Sequence, residues 1–482
     1  MRALSLRPRR ETDMRASYLT ITVGAILLVA CKVGPNYKRP PVAVPPNFRA
    51  PTPLPAPQAA SLANLKWFEV FHDERLRELI RVALVYNYDL LDAVTRVDQA
   101  RANLGITRSN QFPQFSALGA LEITRLSRSG EFPLSTTFIP SQYRNWGELG
   151  LNLLSFEVDI WGRLRRATEA ARANLLNAEE NRKAVVSILV SNVASSYFQL
   201  LELDAELAIS RRTLETRVQS LQLTRHQQDY GTATLLDVRQ AEQLVDSAAE
   251  SITSLEQQMQ QTENAIALLL GKNPETIARG LTLTQQELPD VPPGMPSALL
   301  LRRPDIRANE QALIAANANI GVARAAYFPQ ITLTGTIGSQ TATLANLFSG
   351  PTNEWTFIPQ ITQPIFTAGR LKSGVRLAKA QRDESQVAYE RSITTAFREV
   401  SDALIAHQWI RASRLEQEKL VAALQDRKRL AYIRYHGSLD SELNALDADR
   451  DLLQAELTLA QIRYSELVSV VQLYKALGGG WQ

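Results

Sequence analysis

Among 482 residues there is one cysteine, Cys31, and there are only four histidines. A single thiol excludes both an internal disulfide framework and a cysteine-based zinc site. His72, His226, His407 and His436 share no metal-ligand spacing, so neither a metal nor a cofactor held by such ligands is expected. No serine sits in a GxSxG turn, and LLLGKNP (268–274) lacks the first glycine of a phosphate-cradling loop. The many carboxylates fall on charged helical faces, where solvation is their ordinary role. An enzyme is therefore not expected. Beyond residue 30 no apolar run approaches 18 residues, which predicts that no helix crosses a membrane. Net charge is also lacking: the formal total is +4, and the five arginines and two acids of residues 1–30 account for +3 of it. With both signs interspersed in the rest, a nucleic-acid partner is not expected.

What is present begins with the cysteine. Arg2, Arg7, Arg9, Arg10 and Arg15 precede fifteen uncharged residues, 16–30, and then Leu28-Val29-Ala30 leads into Cys31. This is the layout of a secretory signal over residues 1–30, starting at Met1 or Met14. The final four residues resemble the lipobox of bacterial lipoproteins, which implies a lipid on the Cys31 thiol. Lys32, where an aspartate would retain a lipoprotein in the inner membrane, implies the outer one. An incidental cysteine after an ordinary signal is the plain alternative.

The chain is written twice. QFPQFSALGALEIT (111–124) is echoed by YFPQITLTGTIGS (327–339), DIWGRLRRATEAA (159–171) by IFTAGRLKSGVRLA (365–378), and YGTATLLDVRQAE (230–242) by HGSLDSELNALDADR (436–450). LLLGKNP (268–274) faces YKALGGG (474–480) in the same order and at nearly the same spacing. The expected organisation is a signal at 1–30, a proline-rich extended segment at 31–66, a first repeat at 67–273, a linker at 274–303 and a second repeat at 304–482. Strands are predicted near 112–128, 146–160, 327–340 and 354–366. Long helices are predicted near 163–229, 236–270, 371–435 and 440–477, with an earlier helix from Asp73 to Arg108.

Val186, Val193, Leu200, Leu207, Leu214 and Leu221 recur every seven residues, the spacing of a helix–helix seam. No proline or glycine interrupts 163–229, and 67 helical residues would span roughly 100 Å. Elsewhere the period becomes two. Ile331, Leu333, Gly335 and Ile337 alternate with Thr332, Thr334 and Thr336. Leu149, Leu151 and Leu153 change parity to Phe156, Val158 and Ile160, which predicts a bulge. Windows 112–161 and 327–366 hold 14 of 33 aromatics, a density that suits the girdles of a membrane barrel. Four strands cannot close such a barrel, for which about eight is the practical minimum, so several chains are required; periodicity alone leaves two or three copies open.

CKVGPNYKRP (31–40), WFEVFHDERLRELI (67–80), DIWGRL (159–164) and LLLRRPDIRANEQALIAANANIGVARAAYFPQ (299–330) resemble the NodT-type lipoprotein branch of the TolC family of outer membrane factors. The resemblance implies a mixed α and β membrane protein: a homotrimer whose 12-stranded β-barrel in the outer membrane continues into a 12-helix periplasmic α-barrel. It implies an exit duct for efflux, partnered by a periplasmic adaptor (membrane fusion) protein and an inner-membrane resistance-nodulation-division transporter. A duct serving ABC-type protein secretion, or a periplasmic coiled-coil lipoprotein that forms no channel, are the alternatives.

Two helical reversals form the tips: Gly231, Thr232, Ala233 and Thr234 in the first repeat, and Gly437, Ser438, Leu439 and Asp440 in the second. By resemblance these contact the adaptor, and Leu443, Asp447 and Arg450 hold the periplasmic entrance closed. The family pattern places glycine at Ser438, whereas here Gly437 stands one residue early. Spacing alone makes Asp447 and Arg450 an ordinary i, i+3 surface pair. Asp440, Glu442, Asp447, Asp449 and Asp451 make this tip acidic in sequence, which predicts a cation-preferring entrance.

Overall fold

The structure, a computed structural model, describes residues 32–51, 61–125, 127, 143–287, 289, 294, 296–437 and 439–481. The expected signal at 1–30, Cys31, Ser438 and 128–142 lie outside the described residues. The labelled elements are α1 (Glu74–Tyr86), α2 (Tyr88–Ser109), β1 (Phe115–Arg125), β2 (Tyr143–Glu157), α3 (Arg163–Asp229), α4 (Leu235–Leu269), α5 (Pro304–Ala325), β3 (Gln330–Thr341), β4 (Asn353–Thr362), α6 (Arg370–His436) and α7 (Glu442–Ala476). The chain forms two compact units, each built from three segments. One takes residues up to Pro40, Asp98–Leu176 and Glu310–Val387; the other takes Pro41–Val97, Asn177–Asn309 and Ala388–Gln482.

The first unit holds one antiparallel sheet in the order β1-β2-β3-β4. The β2–β3 register slips between Leu153 and Phe156. The parity change in the sequence falls there because an extra residue turns the strand's apolar side over. Pro359 lies within β4, an edge strand of this sheet. Beside the sheet, Ala170 and Ala173 of α3 pack on Ala315 and Ala318 of α5.

The second unit is built around α3. Val193 and Leu200 are fully buried and Leu207 and Leu221 nearly so, which places the heptad seam in protein contact. An 18-residue window of α3 is apolar enough by length and composition to cross a membrane, with mean hydropathy 1.5, contrary to the expectation from apolar runs. Yet 56% of it is buried inside protein, where Leu189, Val190, Val193, Tyr197 and Phe198 pack with Leu76, Ile80, Ile266 and Val471.

The helix expected from Asp73 to Arg108 is two helices. Asn87 is extended (φ −64°, ψ 129°); its Oδ1 accepts the Leu90 N–H and its Nδ2 donates to the Leu269 carbonyl, both at 3.0 Å. An asparagine that can cap a new first turn offsets the backbone bonds lost at the break. Asp73 caps α1 through Arg75 N–H at 2.8 Å. Its other oxygen accepts the Tyr197 hydroxyl (2.9 Å), the Leu281 N–H (3.0 Å) and the Gln286 amide (2.7 Å). Burial pushes the Tyr197 phenol well above its usual range, and the adjacent Asp73 carboxylate adds to the shift. Arg303, in the RRPDI motif, is 7% exposed and donates to the Ala476 carbonyl at 3.0 Å while pairing with Asp305 and Glu399. That motif ties the start of α5 to the end of α7.

Candidate functional site

Two adjacent rows near the middle of the sheet differ in character. Ala117, Leu151, Ile337 and Trp355 pair in sequence across four strands, and the next row is Ser116, Asn152, Thr336 and Thr356. Because side chains alternate faces, these rows put an apolar band on one side of the sheet and a polar band on the other. The apolar side is uncovered: Leu151 is 55%, Ile337 65% and Trp355 75% exposed. β1 and β4 each have one edge with no strand partner in the described residues. Such a sheet buries its apolar side only in lipid or against another molecule, and lipid demands that both edges be closed.

The segment after Cys31 is docked on this unit through a dense set of polar contacts. Val33 N–H donates to the Trp161 carbonyl at 3.0 Å. The Arg166 side chain, 2% exposed, donates to the carbonyls of Val33 and Gly34 (3.3 Å each) and to Asn36 Oδ1 (2.7 Å), and it pairs with Glu169. Asn317 donates to the Pro35 carbonyl, and Arg39 makes a bidentate pair with Glu310 at 2.6 Å. A Cβ on Gly34 would overlap the Gly321 backbone, so the strap reaches the helix only with glycine at both places. These contacts fix residues 32–39 of the proline-rich extended segment.

The two tips differ. Gly231 has φ +73° and reverses the chain between α3 and α4. Thr232 N–H closes the turn on the Gln227 carbonyl at 2.8 Å. Thr234 begins α4 with a capping box, and its N–H bond to Asp237 holds that carboxyl below the usual range. Ala233 lies within the same reversal. At the second tip Gly437 does not take a positive φ. The glycine signal at 437 therefore does not mark a left-handed turn residue. Leu439 N–H bonds to the Arg434 carbonyl at 2.9 Å, and Asp440 accepts from Asn444 (2.6 Å) and Arg434 (3.1 Å), which depress its carboxyl. Tyr230 (85%), Leu235 (59%), Leu236 (65%), Leu439 (72%) and Leu443 (59%) leave apolar surface open around the tips.

Asp447 and Arg450 are in contact at 3.2 Å, and Arg450 also reaches Asp451 at 3.3 Å. The charge of the acidic run is largely matched in space, with four of its five acids paired to cations. Asp440 meets Arg434, Asp451 meets Arg427, and Asp449 meets Lys428 and Arg217; Glu442 accepts the Thr224 hydroxyl at 2.8 Å. Arg217 comes from α3 and Lys428 from α6, over 20 residues from Asp449 at the nearest, so no local spacing marks the cluster. The Tyr432 phenol beside it is pushed up to about 12, by burial first and then by Asp449. Tyr435 Oη donates to Gln227 Oε1 at 3.1 Å, a further link between the hairpins. Farther along α3, burial pushes the Glu202 carboxyl up to about 7, helped by Glu206.

The sequence model of the family described as outer membrane efflux protein matches residues 79–272 and 295–479. The toluene efflux pump outer membrane protein TtgC of Pseudomonas putida is 40% identical over 476 residues, covering 97% of this chain and 96% of that one. The cation efflux system protein CusC of Escherichia coli is 37% identical over 458 residues, covering 95% and 98%. Among solved structures, the open state of the Neisseria gonorrhoeae MtrE outer membrane channel superposes with TM-score 0.84 at 33% identity, covering 94% of this chain and 99% of that one. The Campylobacter jejuni CmeC outer membrane channel gives 0.85 at 26% identity, covering 93% and 95%.

Proposed function

Because the chain belongs to the outer membrane efflux protein family and is an outer membrane efflux channel rather than an enzyme, we propose that three copies assemble to form the pore and that it is gated at its periplasmic tips. The observation that carries this is the sheet with an uncovered apolar face and two open edges. Three chains supply twelve strands, enough to close a membrane barrel with the apolar rows outward and the Ser116–Asn152–Thr336–Thr356 row facing the lumen. A periplasmic coiled-coil spacer has no use for that face.

Closure is assigned to Leu443, Asp447 and Arg450. The exposed leucine supplies an apolar constriction, and the Asp447–Arg450 pair supplies charge that symmetric copies can share. One exposed pair contributes no more than about 1 kcal/mol, so the gate is a small bias on a helical iris. The surface at Gly231–Thr234 and at Gly437, Leu439 and Asp440 is assigned to a periplasmic adaptor, and Ser438 is assigned with them from the sequence. The inner-membrane partner is assigned to the resistance-nodulation-division class. Cys31 is assigned the lipid anchor, the only covalent group the reading requires. The two-repeat organisation is supported by two family matches and by equal helix lengths: α3 and α6 have 67 residues each, α4 and α7 have 35 each.

The test is unheated electrophoresis together with planar-bilayer recording of the purified protein. A trimer band lost on boiling, with discrete conductance, is expected. A monomer with no conductance would overturn the reading.

A further inference from the structure

Where the post-cysteine strap meets the start of α3, a cleft of about 400 Å³ is lined by Lys32, Gln111, Arg165, Arg166, Glu169 and Arg172, among others. Four cations meet one carboxylate there. Adding Asp159, which pairs with Arg165 at 3.2 Å, still leaves two positive charges in excess. Their identity is clear from the contacts. Arg166 is consumed in holding the strap. Lys32 lies 3.9 Å from Glu169, which already serves Arg166. Arg172 is exposed, with no ion-pair partner among the described residues.

Two features place this cleft at a membrane surface. Lys32 directly follows Cys31, the residue assigned the lipid, and its backbone is held in place by the Val33–Trp161 bond. The same end of the sheet, where Phe115 pairs with Leu153 and Gln330 with Thr362, carries exposed aromatic residues: Phe112 at 57%, Phe115 at 68% and Phe366 at 88%. Girdles of aromatic residues flank the apolar band of a membrane barrel at both interfaces.

We propose that this cleft binds the headgroup of an anionic phospholipid, with Lys32 and Arg172 taking the phosphate and Gln111 and Thr168 bordering it. Cations near a bilayer surface attract acidic lipid, and the rigid strap holds them at one height beside the acylated residue. The inference rests on the assignment of the anchor to Cys31.

The test is native mass spectrometry of the full-length, acylated, delipidated trimer in detergent, titrated with phosphatidylglycerol or phosphatidylcholine. Wild type should retain phosphatidylglycerol preferentially. Lys32→Gln with Arg172→Gln should weaken that retention about tenfold, and Arg172→Gln alone by a few-fold, with phosphatidylcholine unaffected. Equal retention of the two lipids, or an unchanged double variant, overturns the proposal. So does competition by inorganic phosphate without any preference for phosphatidylglycerol, since the site would then take free phosphate. The intact mass of each protein reports acylation in the same experiment. A missing lipid on Cys31 removes the anchor assignment, while the lipid titration still decides the cleft. Because Arg172 lies far from the processing signal along the sequence, its single variant separates headgroup binding from any effect of Lys32 on acylation.

Discussion

Arg217 Nε lies 3.6 Å from Asp449 Oδ2, and both side chains are nearly inaccessible, at 7% and 4%. The pair joins the first hairpin to the second across more than 200 residues of sequence, and Lys428 completes it from α6. Buried charges of this kind are held by their partners, and removing one leaves the others stranded.

Asp449→Ala should therefore cost about 3 kcal/mol and lower the thermal unfolding midpoint of the trimer in detergent. Asp449→Asn, which keeps the shape and loses the charge, should fall in between. An unchanged midpoint for Asp449→Ala would show that the cluster is relieved by water.

The proposed gate should respond differently. Asp447→Ala with Arg450→Ala removes an exposed pair worth no more than about 1 kcal/mol, so stability should hardly move while single-channel conductance rises. Leu443→Ser should act in the same direction by wetting the constriction. Because the tip carboxylates are matched by Arg217, Arg427, Lys428, Arg434 and Arg450, reversal potentials in a salt gradient should show weak selectivity rather than strong cation preference. Equal conductance of wild type and double variant would place closure elsewhere.

Neighbouring positions on β3 distinguish the two faces of the sheet. Ile337→Arg puts a charge on the apolar side and should cost about 2–4 kcal/mol near the middle of the bilayer, visible as lost trimer in membrane extracts. Thr336→Arg, one residue away on the polar row, should assemble and change conductance. Equal assembly of both would contradict a lipid-facing apolar row.

Glu202 gives a pH signature. Its carboxyl titrates near 4.5 when unfolded and about 7 when folded, so between those values the folded chain binds more protons. Stability then falls as pH rises from about 4.5 to 7 and levels off above. Glu202→Gln should flatten that slope and be more stable than wild type at pH 8, by on the order of 1 kcal/mol after allowing for solvent screening. Unfolding midpoints at pH 5 and pH 8 for both proteins provide the check. Glu206, also raised by burial, keeps a residual slope in the variant.

Periodicity by itself determined much of this protein. The heptad through Val193 and Leu200 specified a buried seam, because only one stripe of a helix can face a neighbour. The alternation through Ile331–Ile337 specified a sheet with two unlike faces, and the parity change after Leu153 specified its bulge. Gly231 was legible as a turn residue because positive φ is costly for any side chain. The break at Asn87 was not legible, because an asparagine in a helical run is ambiguous until its amide finds the Leu269 carbonyl. Tertiary structure alone decided which charges meet. The tip reads as acidic along the chain, and its charge is largely matched in space because Arg217 and Lys428 arrive from other helices. The proline-rich segment reads as extended, and its docking was decided by Arg166 and Glu310, which meet it on α3 and α5. Local spacing encodes elements through short-range sterics and burial, whereas charge pairing depends on which helices become neighbours.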